Sequence, residues 1–276
     1  MYQYARPLEL PRGTTITMQY TYDNSVDNPR NPHHPPVRVT WGPRSMDEMG
    51  DLWIQMLPRH SADLTILERD YVQRDLRANI AAAEQLVRIA PDAEKQNLLA
   101  VRYLQAGRFD EARTHLEEAL RLRPDYAEAR TNLGSVLQAQ GRLNEAIDAF
   151  RQALRNKPKD GQVHFNLGNA LTAAGRIDEA IDHFRQATSF TPGSFEAHNN
   201  LAVALGSRGR FEEAIRHLRR ALEINADYAD AHNNLGLALG SIGKRDEAIR
   251  HFQRALQIRP DYTDAQQNLE LWLKSK

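Results

Sequence analysis

Asparagine recurs every 34 residues at Asn132, Asn166, Asn200, Asn234 and Asn268. Asn169, Asn199 and Asn233 lie beside that row. A primary amide offers N–H donors and a carbonyl acceptor, so a ladder of amides can pair with the backbone of an extended peptide whatever its side chains. Histidine recurs in two further rows, at His164, His198 and His232, and at His115, His183, His217 and His251. Histidines in register invite a metal. A metal, however, draws converging nitrogens to about 2 Å, whereas equivalent side chains on stacked helices stand roughly 8–10 Å apart and point in parallel. Both rows are therefore read as packing or surface histidines. The basic cluster Arg216, His217, Arg219 and Arg220 is read as a solvated helix face. Recurrent acids such as Asp178-Glu179 and Asp246-Glu247 belong to helix starts. No Gly-rich phosphate loop and no nucleophile with a base at workable spacing is present. No catalytic residue is assigned, and the chain reads as non-enzymatic.

The elements that must position these rows follow from the same 34-residue period. Blocks 93–126, 127–160, 161–194, 195–228 and 229–262 align without a gap. Leu fills the seventh position (Leu133, Leu167 and their equivalents), and a small residue the eighth (Ala100, Gly134, Gly168, Ala202, Gly236). Gly fills the fifteenth, Ala the twentieth and twenty-seventh, and Phe or Leu the twenty-fourth. Pro stands near the end of four blocks, with Ala226 the exception. The apolar and small residues fall at helical spacing. Gly at the fifteenth position ends a first helix, A, by taking the left-handed conformation without penalty. A second helix, B, opens on acidic residues that suit its dipole, and Pro stops it. Asp125, Asp227 and Asp261 are expected to cap the next A helix.

Period and pattern resemble those of tetratricopeptide repeats. The resemblance implies a mainly α fold: a right-handed α-solenoid of antiparallel helix pairs, here preceded by a short β-strand segment. It also implies that helix A lines a concave face. The expected organisation is a β-rich segment over 1–60, a degenerate helical pair capping the stack over 61–92, five repeats over 93–262, and a capping helix over 263–276. The asparagine row is similar to the ladder of the O-linked N-acetylglucosamine transferase solenoid, which holds substrate peptides by their backbone. No Lys or Arg occupies the fifth or ninth positions of the blocks, so the cationic clamp that other tetratricopeptide proteins use for chaperone tails is missing. The expected partner is a protein or an extended peptide, with self-association through the terminal repeats as an alternative.

Lys plus Arg equals Asp plus Glu at 36 each, which argues against broad electrostatic capture of nucleic acid. Cysteine is absent, so there is neither a disulfide frame nor a thiolate metal site. No apolar run approaches the roughly 20 residues of a membrane span. Residues 1–7 lack the apolar core of an export signal, which as written points to the cytoplasm.

The first sixty residues differ in kind. The run 13–22 alternates β-branched and aromatic residues as a strand does. A loop rich in Asn and Pro follows, then two more short strands around Val39 and Ile54. Leu10-Pro11-Arg12-Gly13-Thr14, Tyr22-Asp23-Asn24-Ser25, Trp41-Gly42 and Asp47-Glu48-Met49 resemble the closing strands of a copper type II, ascorbate-dependent monooxygenase domain. The resemblance implies a copper-ligand position at Met49, whose thioether suits Cu(I). The family's partner ligands form a His-x-His pair, and this chain has none. Copper is therefore expected only if a longer, exported parent supplies those histidines; this chain would then be its C-terminal part, with repeats that recruit substrate or partners.

Overall fold

A computed structural model of the chain describes residues 61–274, with side chains from Asp75 onward. The expected strands of residues 1–60, and Met49 with them, lie outside the described residues.

The pair of helices expected over residues 61–92 is instead one helix, α1 (Ser61–Ile89). No Gly or Pro falls between its ends, so nothing in the segment interrupts it. Its later turns cover the first repeat: Ile80 and Ala83 are buried in one cluster with Leu99 and Tyr103. Tyr103 Oη donates to the Glu84 carboxylate at 2.5 Å. Burial, and then that carboxylate, push the phenol up to about 12.

The five repeats follow as A–B pairs. The A helices are α2 (Ala93–Gln105), α4 (Ala127–Ala139), α6 (Gly161–Ala173), α8 (Phe195–Ser207) and α10 (Ala229–Ser241). The B helices are α3 (Phe109–Leu122), α5 (Leu143–Asn156), α7 (Ile177–Phe190), α9 (Phe211–Ile224) and α11 (Arg245–Ile258). One further A helix, α12 (Thr263–Lys274), closes the stack. Within the stack each A helix packs on its own B helix, on the preceding B helix and on the next A helix, whereas successive B helices meet only through long side chains such as Arg151 and Glu179. Equivalent A helices are thus closer together than equivalent B helices. The stack curves accordingly, with the A helices lining its inner face.

The glycines at the fifteenth position all have φ between 71° and 80°. A Cβ there would meet no neighbouring atom, so their need is conformational rather than steric. Gly175→Ala is expected to cost about 1–2 kcal/mol, the ordinary penalty of a left-handed L-residue, read as a lower urea midpoint with an unchanged slope.

The caps fall one residue later than expected at Asp125 and Asp227. Tyr126 and Tyr228 occupy the cap positions and make no side-chain cap bond. In every repeat the cap is the residue immediately before the 34-residue block, and where that residue is tyrosine the side chain serves the interface instead. The Arg123 guanidinium stacks 4.2 Å from the Tyr126 ring, and Tyr126 Oη accepts from Asn97 Nδ2 of the preceding A helix at 3.4 Å. Asp92, Asp160 and Ser194 do cap, accepting from the backbone N–H three residues on. Residues 123, 157 and 225 leave helix B with similar backbone angles, φ from −140° to −131° and ψ from 75° to 97°. Two of them precede Pro and one precedes Ala226, so this turn does not depend on the proline.

The core is built on a size match between the eighth and twenty-fourth positions. Gly134, Gly168 and Gly236 lie against the rings of Phe150, Phe184 and Phe252, and a Cβ on any of the three would come within 2.6 Å of a ring carbon. Where the twenty-fourth residue is the smaller Leu116 or Leu218, the eighth is Ala100 or Ala202. All of these side chains are buried. On the outer face, Glu179 accepts from Arg176 at 2.7 Å and from Arg151 of the preceding repeat at 2.9 Å. Glu213 repeats the arrangement with Arg210 and Arg185. Exposed pairs of this kind stabilise little individually.

Candidate peptide-binding groove

The inner face carries the asparagine row, and the structure divides it in two. Asn199 and Asn233, at the fifth position of their repeats, are buried, with 5% and 4% exposure. Asn132, Asn166, Asn200, Asn234 and Asn268, at the sixth, are half-buried and open to the groove, as is Asn169. The two rows bond to each other between repeats. Asn234 Nδ2 donates to Asn199 Oδ1 at 3.0 Å, Asn268 Nδ2 to Asn233 Oδ1 at 2.9 Å, and Asn132 Nδ2 to Asn97 Oδ1 at 2.8 Å. Asn200 Nδ2 reaches Asn169 Oδ1 at 2.9 Å, and Asn199 Nδ2 donates back to Asn200 Oδ1 at 3.2 Å. Asn166 differs: its Oδ1 accepts from Gln162 within the same helix at 3.0 Å. A side-chain amide can form more than one hydrogen bond. Asn132, Asn200, Asn234 and Asn268 therefore tie adjacent repeats together, and Asn166 does not. Asn199 and Asn233 support that row from beneath.

The histidine rows do not run along the solenoid as independent ladders. They pair across it, helix A to helix B. His164 Nδ1 lies 3.0 Å from His183 Nδ1, and His198–His217 and His232–His251 repeat the distance. The rings stack with centroids 5.2–5.3 Å apart. His164 Nε2 meets the Pro158 carbonyl at 3.1 Å, and His232 Nε2 the Ala226 carbonyl at 3.2 Å. A carbonyl only accepts, so those Nε2 atoms carry the proton. In the neutral pair the inner Nδ1 is then a lone pair, and the outer histidine donates Nδ1–H to it. Burial holds His183, His198 and His232 below the ordinary histidine range, and pushes His217 and His251 down to about 4. In the first repeat Gln96 replaces the inner histidine and meets His115 Nδ1 at 2.7 Å. In the second, Arg130 stands there and binds Gln152 and the Pro124 carbonyl. Among the described residues no group of three or more His, Asp or Glu is arranged to hold a metal. Of the basic cluster on α9, Arg219 and Arg220 face Glu247 and Glu223, whereas His217 turns inward to its pair.

Models of the tetratricopeptide repeat match residues 97–161 and 131–195, and another model of the same repeat matches 193–261. Together they span more than half of the chain. The chain belongs to the tetratricopeptide-repeat family. Among solved structures, YrrB, described as a TPR protein with an unusual peptide-binding site, is 23% identical, with a TM-score of 0.59 over 68% of this chain and 98% of its own. MamA is 24% identical, with a TM-score of 0.56 over 60% and 96%. TTC0263, a thermophilic TPR protein of Thermus thermophilus, is 22% identical, with a TM-score of 0.51 over 66% and 98%. At these identities the likeness is one of fold. No curated protein matches the chain significantly. A tetratricopeptide-repeat stack is a scaffold for protein interaction, and nothing in its described residues forms a catalytic constellation. No described helix is long and apolar enough to cross a membrane.

Proposed function

We propose that this tetratricopeptide-repeat protein binds an extended peptide segment of a partner protein along the inner groove, through the half-buried asparagine row. The observation that carries the reading is the division of labour between the two rows. Asn199 and Asn233 are buried and orient Asn234 and Asn268 of the next A helix, while Asn166, Asn200, Asn234 and Asn268 are half-buried, one on each successive A helix. Preorganised amides lose little freedom when a peptide backbone adds to them. YrrB, on the same fold, is described as having a peptide-binding site, which supports peptide capture by a stack of this kind.

The double variant Asn166→Ala, Asn200→Ala is expected to lose capture of the partner peptide at least tenfold. Its thermal stability should fall by only about 1–2 kcal/mol, because a single inter-repeat bond, Asn200 to Asn169, is removed. Undiminished capture by a folded double variant would remove the asparagine row from the binding site.

A further inference from the structure

The floor of the groove is not uniform along the stack. At the ninth position of each repeat the residues are Val101, Ser135, Asn169, Val203 and Leu237, and Leu271 continues the row on α12. The middle of the groove is thus polar, while its last part is apolar. Val203, Leu237 and Leu271 are 46%, 39% and 65% exposed, whereas Ala202 and Ala204 on either side of Val203, and Gly236 and Ala238 on either side of Leu237, are buried. They stand on three A helices that touch in succession, α8 to α10 to α12. Touching helices space equivalent side chains by roughly 8–10 Å.

That interval selects a ligand conformation. A β-strand returns a side chain to the same face every second residue, about 6.6–6.8 Å. A polyproline II segment does so every third residue, about 9.3 Å. Only the latter keeps step with the row over three repeats. On α8 and α10, along the same stretch, one carboxylate has no ion-pair partner among the described residues. Helices α8 and α10 contain Glu196 and Asp230 and no Lys or Arg. Asp230 is neutralised by Arg259 at 2.9 Å, whereas Glu196 is exposed and accepts only from the Ser194 hydroxyl at 3.2 Å.

Building on the peptide-groove reading above, we infer that the C-terminal half of the groove selects a basic, polyproline II-like peptide with an apolar side chain at every third residue, seated on Val203, Leu237 and Leu271.

Three labelled synthetic peptides test this by fluorescence anisotropy with the full chain. Each carries flanking lysines. One has Leu at every third residue, one has the same number of Leu at every second residue, and one has Ser in place of Leu. The period-three peptide should bind about tenfold tighter than the other two. That advantage should vanish in Leu237→Ser, which should stay folded with a small drop in melting temperature because the side chain is only partly buried. Glu196→Gln should weaken the period-three peptide and flatten its salt dependence. Equal binding of the period-two or Ser peptide would overturn the inference while leaving backbone capture by the groove intact. Absence of binding by all three up to about 1 mM would instead bring down the peptide-groove reading together with it.

Discussion

Lowering the pH from 7 to 4.5 is expected to destabilise the repeats strongly, in a window set by the histidine pairs. Unfolded histidine titrates near 6.5. In the fold His115, His183, His198, His217, His232 and His251 are all held lower, mainly by burial. Between the two values the unfolded chain binds more protons than the native one, so stability falls as pH falls. The loss begins near 6.5, deepens as pH approaches about 4, where His217 and His251 charge, and then levels off. The geometry gives the reason. A pair can take a first proton on the free Nε2 of its outer ring only against burial and neighbouring cations, such as Arg216 and Arg185 around His217, which Glu213 only partly offsets. A second proton, on the inner Nδ1, would set N–H against N–H at 3.0 Å. The paired carboxylates are depressed as well, but they respond below about pH 4.5 and so in a separate range. The melting temperature should drop by roughly 10 °C over this interval, at about 2–4 °C per kcal/mol for a chain of this size. The variant His164→Gln, His198→Gln, His232→Gln copies the natural Gln96–His115 pair and should shrink the drop. If the triple variant showed the same acid limb, the pairs would not be its source.

Gly168→Ala is the second change with a large expected effect. The new methyl would lie 2.6 Å from Phe184 Cε1, inside any real contact, and the ring is fully enclosed. Overpacking of this kind costs about 1–3 kcal/mol. Phe184→Leu alone should also destabilise, by leaving a void. The double variant should recover most of both losses, because it recreates the Ala202–Leu218 combination of the next repeat. Chemical denaturation of the four proteins gives the coupling directly. Simple additivity would show that the two positions do not constrain one another.

The period, the helix pairs and the left-handed glycines were legible in the residues, because each depends on spacing along one chain or on one residue type. What crosses between helices was not. The sixth-position and fifth-position asparagines recur with the same period, so recurrence cannot separate the half-buried Asn234 from the buried Asn233 one residue before it. The histidines were compared along each row, where they are far apart. Their partners lie across the repeat, His198 to His217, and become visible only once helix A is set against helix B. The match of Gly168 to Phe184 is hidden for the same reason, although the covariation of Gly with Phe and of Ala with Leu was a signal available in the residues. The pair expected over 61–92 failed on simpler ground: a change of direction needs a breaker, and 61–89 contains none.

The two kinds of core, Gly with Phe and Ala with Leu, also set rules for shuffling the array. Joining two different repeats between their eighth and twenty-fourth residues can place Ala against Phe, which clashes, or Gly against Leu, which leaves a hole. Junctions in the turns between repeats keep every matched pair together. Whole blocks such as 161–194 can therefore be exchanged, duplicated or deleted with their internal packing intact, whereas crossovers inside a block carry a mismatch into the product.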